Sequence, residues 1–141
     1  MTYRIREVDG VEMEHELREL HDACFGGSAP IPDFAVGTWY LMSYKGEPVA
    51  FLGWFRSTYY PTLAYFSRVG VLPLHRGNGL QTRLMRRMEK DAKAQSYSGM
   101  VSDTTDGTYS ANNFIRQGWT LFEPEQKWAW SHTLYWRKDF T

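Results

Sequence analysis

The chain has a single cysteine, Cys24, in 141 residues, so no internal disulfide can form. His21 and Cys24 stand three apart with no second pair of ligand-type residues nearby, which is too few for a metal site, and none is expected. Net charge is also lacking: 16 Lys and Arg balance 16 Asp and Glu, which argues against coating nucleic acid or an anionic membrane. Long apolar runs are missing too. The stretch 49–55 is interrupted by Gly53 and falls far short of the roughly 20 residues of a membrane span. The opening segment MTYRIREVDG has no apolar core of signal-peptide length, and with the lone thiol this favours the cytoplasm.

What is present suits a folded domain. Hydrophobic residues make up 43% and aromatics 16% of the chain, and its length fits one domain over residues 1–141. Residues 2–8 alternate as a strand; from Val11 the period changes, and Met13, Leu17, Leu20 and Cys24 mark one face of a helix, in which Cys24 reads as a small buried hydrophobe. The Gly- and Pro-rich stretch 26–37 reads as a loop bordering a binding site. Residues 38–44 and 48–55 form a hairpin about Lys45-Gly46, and 62–71 a further strand. Residues 79–93 carry Leu80, Leu84, Met88 and Ala92 on one helical face. A strand at 99–103, a helix at 109–116 closed by Gly118, and strands at 119–122 and 133–138 complete an α/β order that requires a mixed sheet covered by helices.

The stretch from Val69 to Leu84, VGVLPLHRGNGLQTRL, carries the chemistry. A strand runs into a turn holding His75, Arg76, Gly77, Asn78 and Gly79, then into the first turn of a helix at Leu80 and Gln81. Glycines that admit close approach, leading helix N–H groups and a guanidinium make an anion site, although such a turn also serves as a plain connection. A nucleoside-triphosphate loop is excluded because G-x-x-x-x-G-K-[ST] is missing, and the third glycine of the dinucleotide fingerprint is missing as well.

This region resembles the GNAT superfamily of N-acetyltransferases, whose [Q/R]-x-x-G-x-[G/A] motif is similar to Arg76 to Gln81 after Val71-Leu72-Pro73, with Gln81 where a small residue is usual. SANNFIRQGW, residues 110–119, resembles the second signature of that family. The resemblance implies a single-domain, mostly antiparallel sheet with a central splayed parallel strand pair and flanking helices, the acyl-CoA N-acyltransferase fold. It implies acetyl-CoA as cofactor, with pantetheine on the backbone of Val69, Gly70 and Val71 and the pyrophosphate on His75 to Gln81. From the second signature it implies cofactor contacts by Asn112, Asn113, Phe114 and Arg116, although the two asparagines, near the helix start, read equally as solvent-facing or capping residues. Acetyl transfer to a primary amine, by direct attack in a ternary complex, follows.

Two positions depart from the family pattern. The strand AYFSRVGV has Ser67 and Arg68 where a carboxylate base is common, leaving Asp103 or ordered water as the base; Asp103 reads equally as a turn or helix cap. Phe114 stands where a tyrosine acid is usual, leaving Tyr109 or Ser110 as its substitute. These departures give a rival reading, an acyl-CoA-binding module without catalysis. Small-molecule and protein amines are both open as acceptors, and aromatics beside the 26–37 loop are candidates to line a pocket for a flat or cationic amine. Residues 133–138 are expected to present an edge on which two copies pair as a homodimer.

Overall fold

The computed structural model describes residues 2–140. Ten main elements follow the order expected from the patterning: β1 (Tyr3–Val8), α1 (Glu14–Phe25), β2 (Thr38–Tyr44), β3 (Glu47–Arg56), β4 (Leu63–Val71), α2 (Leu80–Ala94), β5 (Gly99–Thr104), α3 (Thr108–Arg116), β6 (Thr120–Leu121) and β7 (Leu134–Asp139). The strands form one mixed sheet in the order β1-β2-β3-β4-β5-β7-β6, with β4 and β5 parallel. Two compact units divide the chain, one of Met1–Phe55 and Ser67–Met88, the other of Arg56–Phe66 and Glu89–Thr141. Among the described residues no helix is long and apolar enough to cross a membrane, and no group of three metal-ligating side chains gathers.

The first unit is built on a hairpin. Lys45 and Gly46 take positive φ values of 51° and 81°, the left-handed pair whose twist matches the strands they join. Trp39, Leu41 and Phe51 on the strands pack against Leu17 and Leu20 of α1 and Phe34 of the loop, so the apolar stripe read from the sequence is the buried face. Cys24 packs half-buried at the margin of this cluster, and burial pushes its thiol up from the ordinary value, as suits a filler. Leu80, Leu84, Met85 and Met88 of α2 are all buried.

The second unit is held by β5 and β7, antiparallel from Gly99↔Asp139 to Thr104↔Leu134. Phe66, Phe114, Trp119 and Trp136 form its aromatic core, with Phe114 stacked on Trp136 at 5.4 Å. Lys138 ties this core down by pairing with Glu89 at 2.7 Å and donating to the Gln117 carbonyl beyond α3, also at 2.7 Å. One expectation is overturned: β7 is not an edge. β6 pairs with it at Thr120↔Arg137 and Leu121↔Trp136, so the edge strands are β1 and β6 and the middle of the surface read for a homodimer is already used.

Candidate functional site

In the first unit, β4 ends where the Leu72 N–H turns back to the Val49 carbonyl at 2.9 Å. Pro73 then opens a one-turn 3-10 helix, Pro73–His75, which the sequence patterning did not indicate. Proline suits this place because its fixed φ is already helical and it has no N–H to satisfy. The His75 and Arg76 N–H groups are consumed inside the turn, by the carbonyls of Leu72 at 2.9 Å and Pro73 at 3.3 Å. The His75 ring is hydrogen-bonded to the Tyr3 hydroxyl at 3.0 Å and set edge-on to the Tyr3 ring. His75 is therefore a strut, and the anion-binding set expected from the sequence contracts to the residues after it.

Gly77 and Gly79 follow at φ 82° and 72°, conformations that favour glycine, and a Cβ at either would meet nothing within 4 Å. The N–H groups of Gly77, Asn78 and Gly79 take no partner among the described residues, and they lead into the N-terminus of α2. Arg76 is exposed, its Nε steadied by the Val71 carbonyl at 3.2 Å; the Asn78 side chain braces the turn by donating to the His75 carbonyl at 3.0 Å. The Gln81 amide lies along its own helix toward Met85, so it does not fill the cradle. Together these residues offer backbone donors, a helix dipole and one guanidinium to an anion.

Ahead of this turn in the chain, β4 carries Arg68 where the family pattern has a catalytic carboxylate. Its Nη1 donates to His21 Nε2 at 2.9 Å and its guanidinium stands over the Phe25 ring at 5.4 Å. Arginine has no acceptor, so His21 must accept through Nε2, which places the ring proton on the buried, unpartnered Nδ1. Burial, and then the Arg68 charge, hold His21 below its usual 6.5. The unfolded chain takes up this proton as pH falls through that value and the folded chain resists it, so stability drops on acidification. Urea unfolding at pH 7.5 and 5.5 is expected to show wild type losing more stability than His21→Gln, by up to about 1.4 kcal/mol per pH unit.

In the second unit the parallel ladder has three pairs, Leu63↔Gly99, Ala64↔Met100 and Tyr65↔Val101. The next rung is made by a side chain, Ser102 Oγ donating to the Phe66 carbonyl at 2.7 Å. Asp103, two residues past the last pair, is no helix cap: α3 starts after Gly107 with no side-chain cap. Its Oδ2 instead accepts from the Tyr65 hydroxyl at 2.6 Å and from Trp128 Nε1 at 2.9 Å. Sequence reading missed both partners, since 38 and 25 residues separate them from Asp103. The only available signal was the strand alternation, which puts Tyr65 and Asp103 on one side.

On α3, Asn113 is buried with its Nδ2 unpartnered, whereas Asn112 and Arg116 are exposed. Tyr109 is 66% exposed at the start of the helix. Phe114 is corrected: it is 4% exposed within the Phe66, Trp119 and Trp136 cluster, so it packs the core instead of holding a ligand. The aromatics beside the 26–37 loop are also corrected. Trp39 and Phe34 there are 1% and 2% exposed and line nothing. The acetyl-CoA expectation meets two features of this structure that fit it: an open glycine cradle with unspent donors for a diphosphate, and a buried orphan amide on Asn113 for an amide-bearing arm.

The comparisons agree. An acetyltransferase of the GNAT family from Staphylococcus aureus Mu50 superposes with TM-score 0.79 at 15% identity, over 98% of this chain and 99% of that one. The IAA acetyltransferase of Bacillus cereus ATCC 14579 gives 0.76 at 12%, over 99% and 100%. A Bacillus anthracis str. Ames structure in complex with acetyl coenzyme A gives 0.71 at 16%, over 100% of both chains. No curated protein matches the sequence. The model of the acetyltransferase (GNAT) family, whose cofactor is acetyl-CoA, matches residues 6–119, and the chain belongs to that family.

Proposed function

We propose that this protein transfers the acetyl group of acetyl-CoA to a primary amine by direct attack in a ternary complex, in the cytoplasm. The observation that carries the reading is the turn at Gly77 to Gly79, open at both glycines and with three N–H groups unspent among the described residues. When bound, acetyl-CoA supplies an activated thioester carbonyl. The chain's own residues divide the remaining work. The turn and Arg76 hold the diphosphate, and the Asn113 amide donates to the pantetheine arm. Asp103 orients the amine and passes its proton to water; Tyr109, with its hydroxyl in solvent, returns one to the departing thiolate. The fold by itself does not choose the acceptor.

A second reading, a binding module without turnover, is favoured by two observations: Phe114 has no proton to give, and β4 offers Arg68 in place of a carboxylate. Thiol release from acetyl-CoA across a panel of amines, with calorimetric titration of coenzyme A, separates the two. Release above hydrolysis is expected for at least one amine; tight binding with no release for any would leave the module. Asn113→Leu is expected to weaken coenzyme A about tenfold, the loss of one buried hydrogen bond, without lowering the thermal midpoint, because the variant also removes an unsatisfied donor.

A further inference from the structure

Asp103 is a half-buried carboxylate without a cation. No lysine, arginine or histidine pairs with it among the described residues, and four basic side chains of its unit are engaged elsewhere: Lys138 with Glu89, Lys127 with Glu123, Arg137 with Asp139 and His132 with Asp106. Two neutral donors fix Oδ2, at 2.6 and 2.9 Å, while Oδ1 accepts nothing from the described residues and is not shut off from solvent. A carboxylate held this firmly by one oxygen presents the other in a set direction.

The donors themselves are rigid. Trp128 stacks on Tyr59 with ring centroids 5.3 Å apart and planes 11° from parallel, and meets the Tyr135 ring edge-on at 4.6 Å. Tyr135 pins the same loop by accepting the Ala129 N–H at 3.0 Å. Tyr59 is 43% exposed, so the stack borders solvent beside the carboxylate. Negative charge on one oxygen and π-electron density alongside it both attract a cation, and neither favours an anion or a neutral polar group.

We infer that Asp103, with the Tyr59–Trp128 stack and the Tyr65 hydroxyl, is the recognition site for the acceptor, and that the acceptor is an alkylamine carrying its positive charge at neutral pH. The assignment rests on the acetyl-transfer reading for the word acceptor, but the cation site stands on its own geometry. It selects alkylammonium groups over neutral amines of the same shape, and over acceptors that carry a carboxylate beside the amine.

The test is an NMR titration of the full chain without cofactor, following the indole N–H signal of Trp128, identified by its loss in Trp128→Phe. n-Pentylammonium, 1-pentanol and pentanoate are the probes at pH 7. Saturable shifts of this signal are expected for pentylammonium, with 1-pentanol at least tenfold weaker and pentanoate without effect. Asp103→Asn keeps an oxygen for both donors and so should fold with an unchanged thermal midpoint, yet lower pentylammonium affinity at least tenfold and raise its KM in thiol release. Equal shifts with 1-pentanol, or wild-type ammonium binding by Asp103→Asn, overturn the site. Ammonium binding without any thiol release would instead sink the acetyl-transfer reading and leave the cation site in place.

Discussion

Gly79→Val is expected to weaken coenzyme A about 100-fold, equivalent to about 2.7 kcal/mol of binding, while costing the free protein only about 1–2 kcal/mol of stability. The two effects separate because of where the side chain would go. At φ 72° a β-branched residue is strained, but its Cβ meets no protein atom within 4 Å. The space it fills is where the proposed function seats the diphosphate, and the strain rotates the N–H groups that lead into α2. Calorimetric titration with coenzyme A, alongside urea unfolding of the free chain, reads both quantities. Wild-type affinity in this variant would remove the turn from the binding surface.

Gly53→Ala is expected to destabilise the protein by about 3 kcal/mol, near the upper end for overpacking, seen as a thermal midpoint lower by about 10 °C. Gly53 pairs directly with Trp39 across the β2–β3 ladder, and the indole lies over the bare glycine, with Cε3 2.6 Å from the position a methyl would take. The ring has no room to yield: it is 1% exposed, its Nε1 donates to the Val36 carbonyl at 2.9 Å, and the Phe34 ring abuts it at 4.8 Å. Gly27→Ala, where nothing lies within 4 Å and φ is ordinary, serves as the control and should leave the midpoint unchanged.

These two glycines show what was readable from the chain and what was not. Gly79 sits in a local pattern, RGNGLQ between a strand and an apolar helical stripe, so its role follows from neighbours a few residues away. Gly53 looked like a mere interruption of an apolar run; its reason lies 14 residues back in Trp39, and only strand register brings them together. The same distinction explains the site. Asn113 stands in a short local motif, but the Tyr65 and Trp128 anchors of Asp103, and the His21 partner of Arg68, depend on pairings across 25 to 47 residues. His75 reads as part of the anion turn from its motif neighbours, but its ring partner, Tyr3, lies 72 residues away. Residues 133–138 read as a border because two residues, Thr120 and Leu121, are too short a strand to announce themselves.

The outermost strand β1 bears on how the protein behaves when concentrated. With positive and negative side chains in balance and an isoelectric point near 6.9, molecules at neutral pH gain no mutual repulsion from overall charge. Keeping them apart falls to the rim, where the solvent-facing Arg4, Arg6 and Glu7 make it costly for a foreign strand to zip onto the open backbone. Solubility thereby depends on a few side chains along one border, and replacing Arg4 and Glu7 together by neutral residues, which keeps the overall charge at zero, should bring clumping near pH 7 without touching the fold's interior.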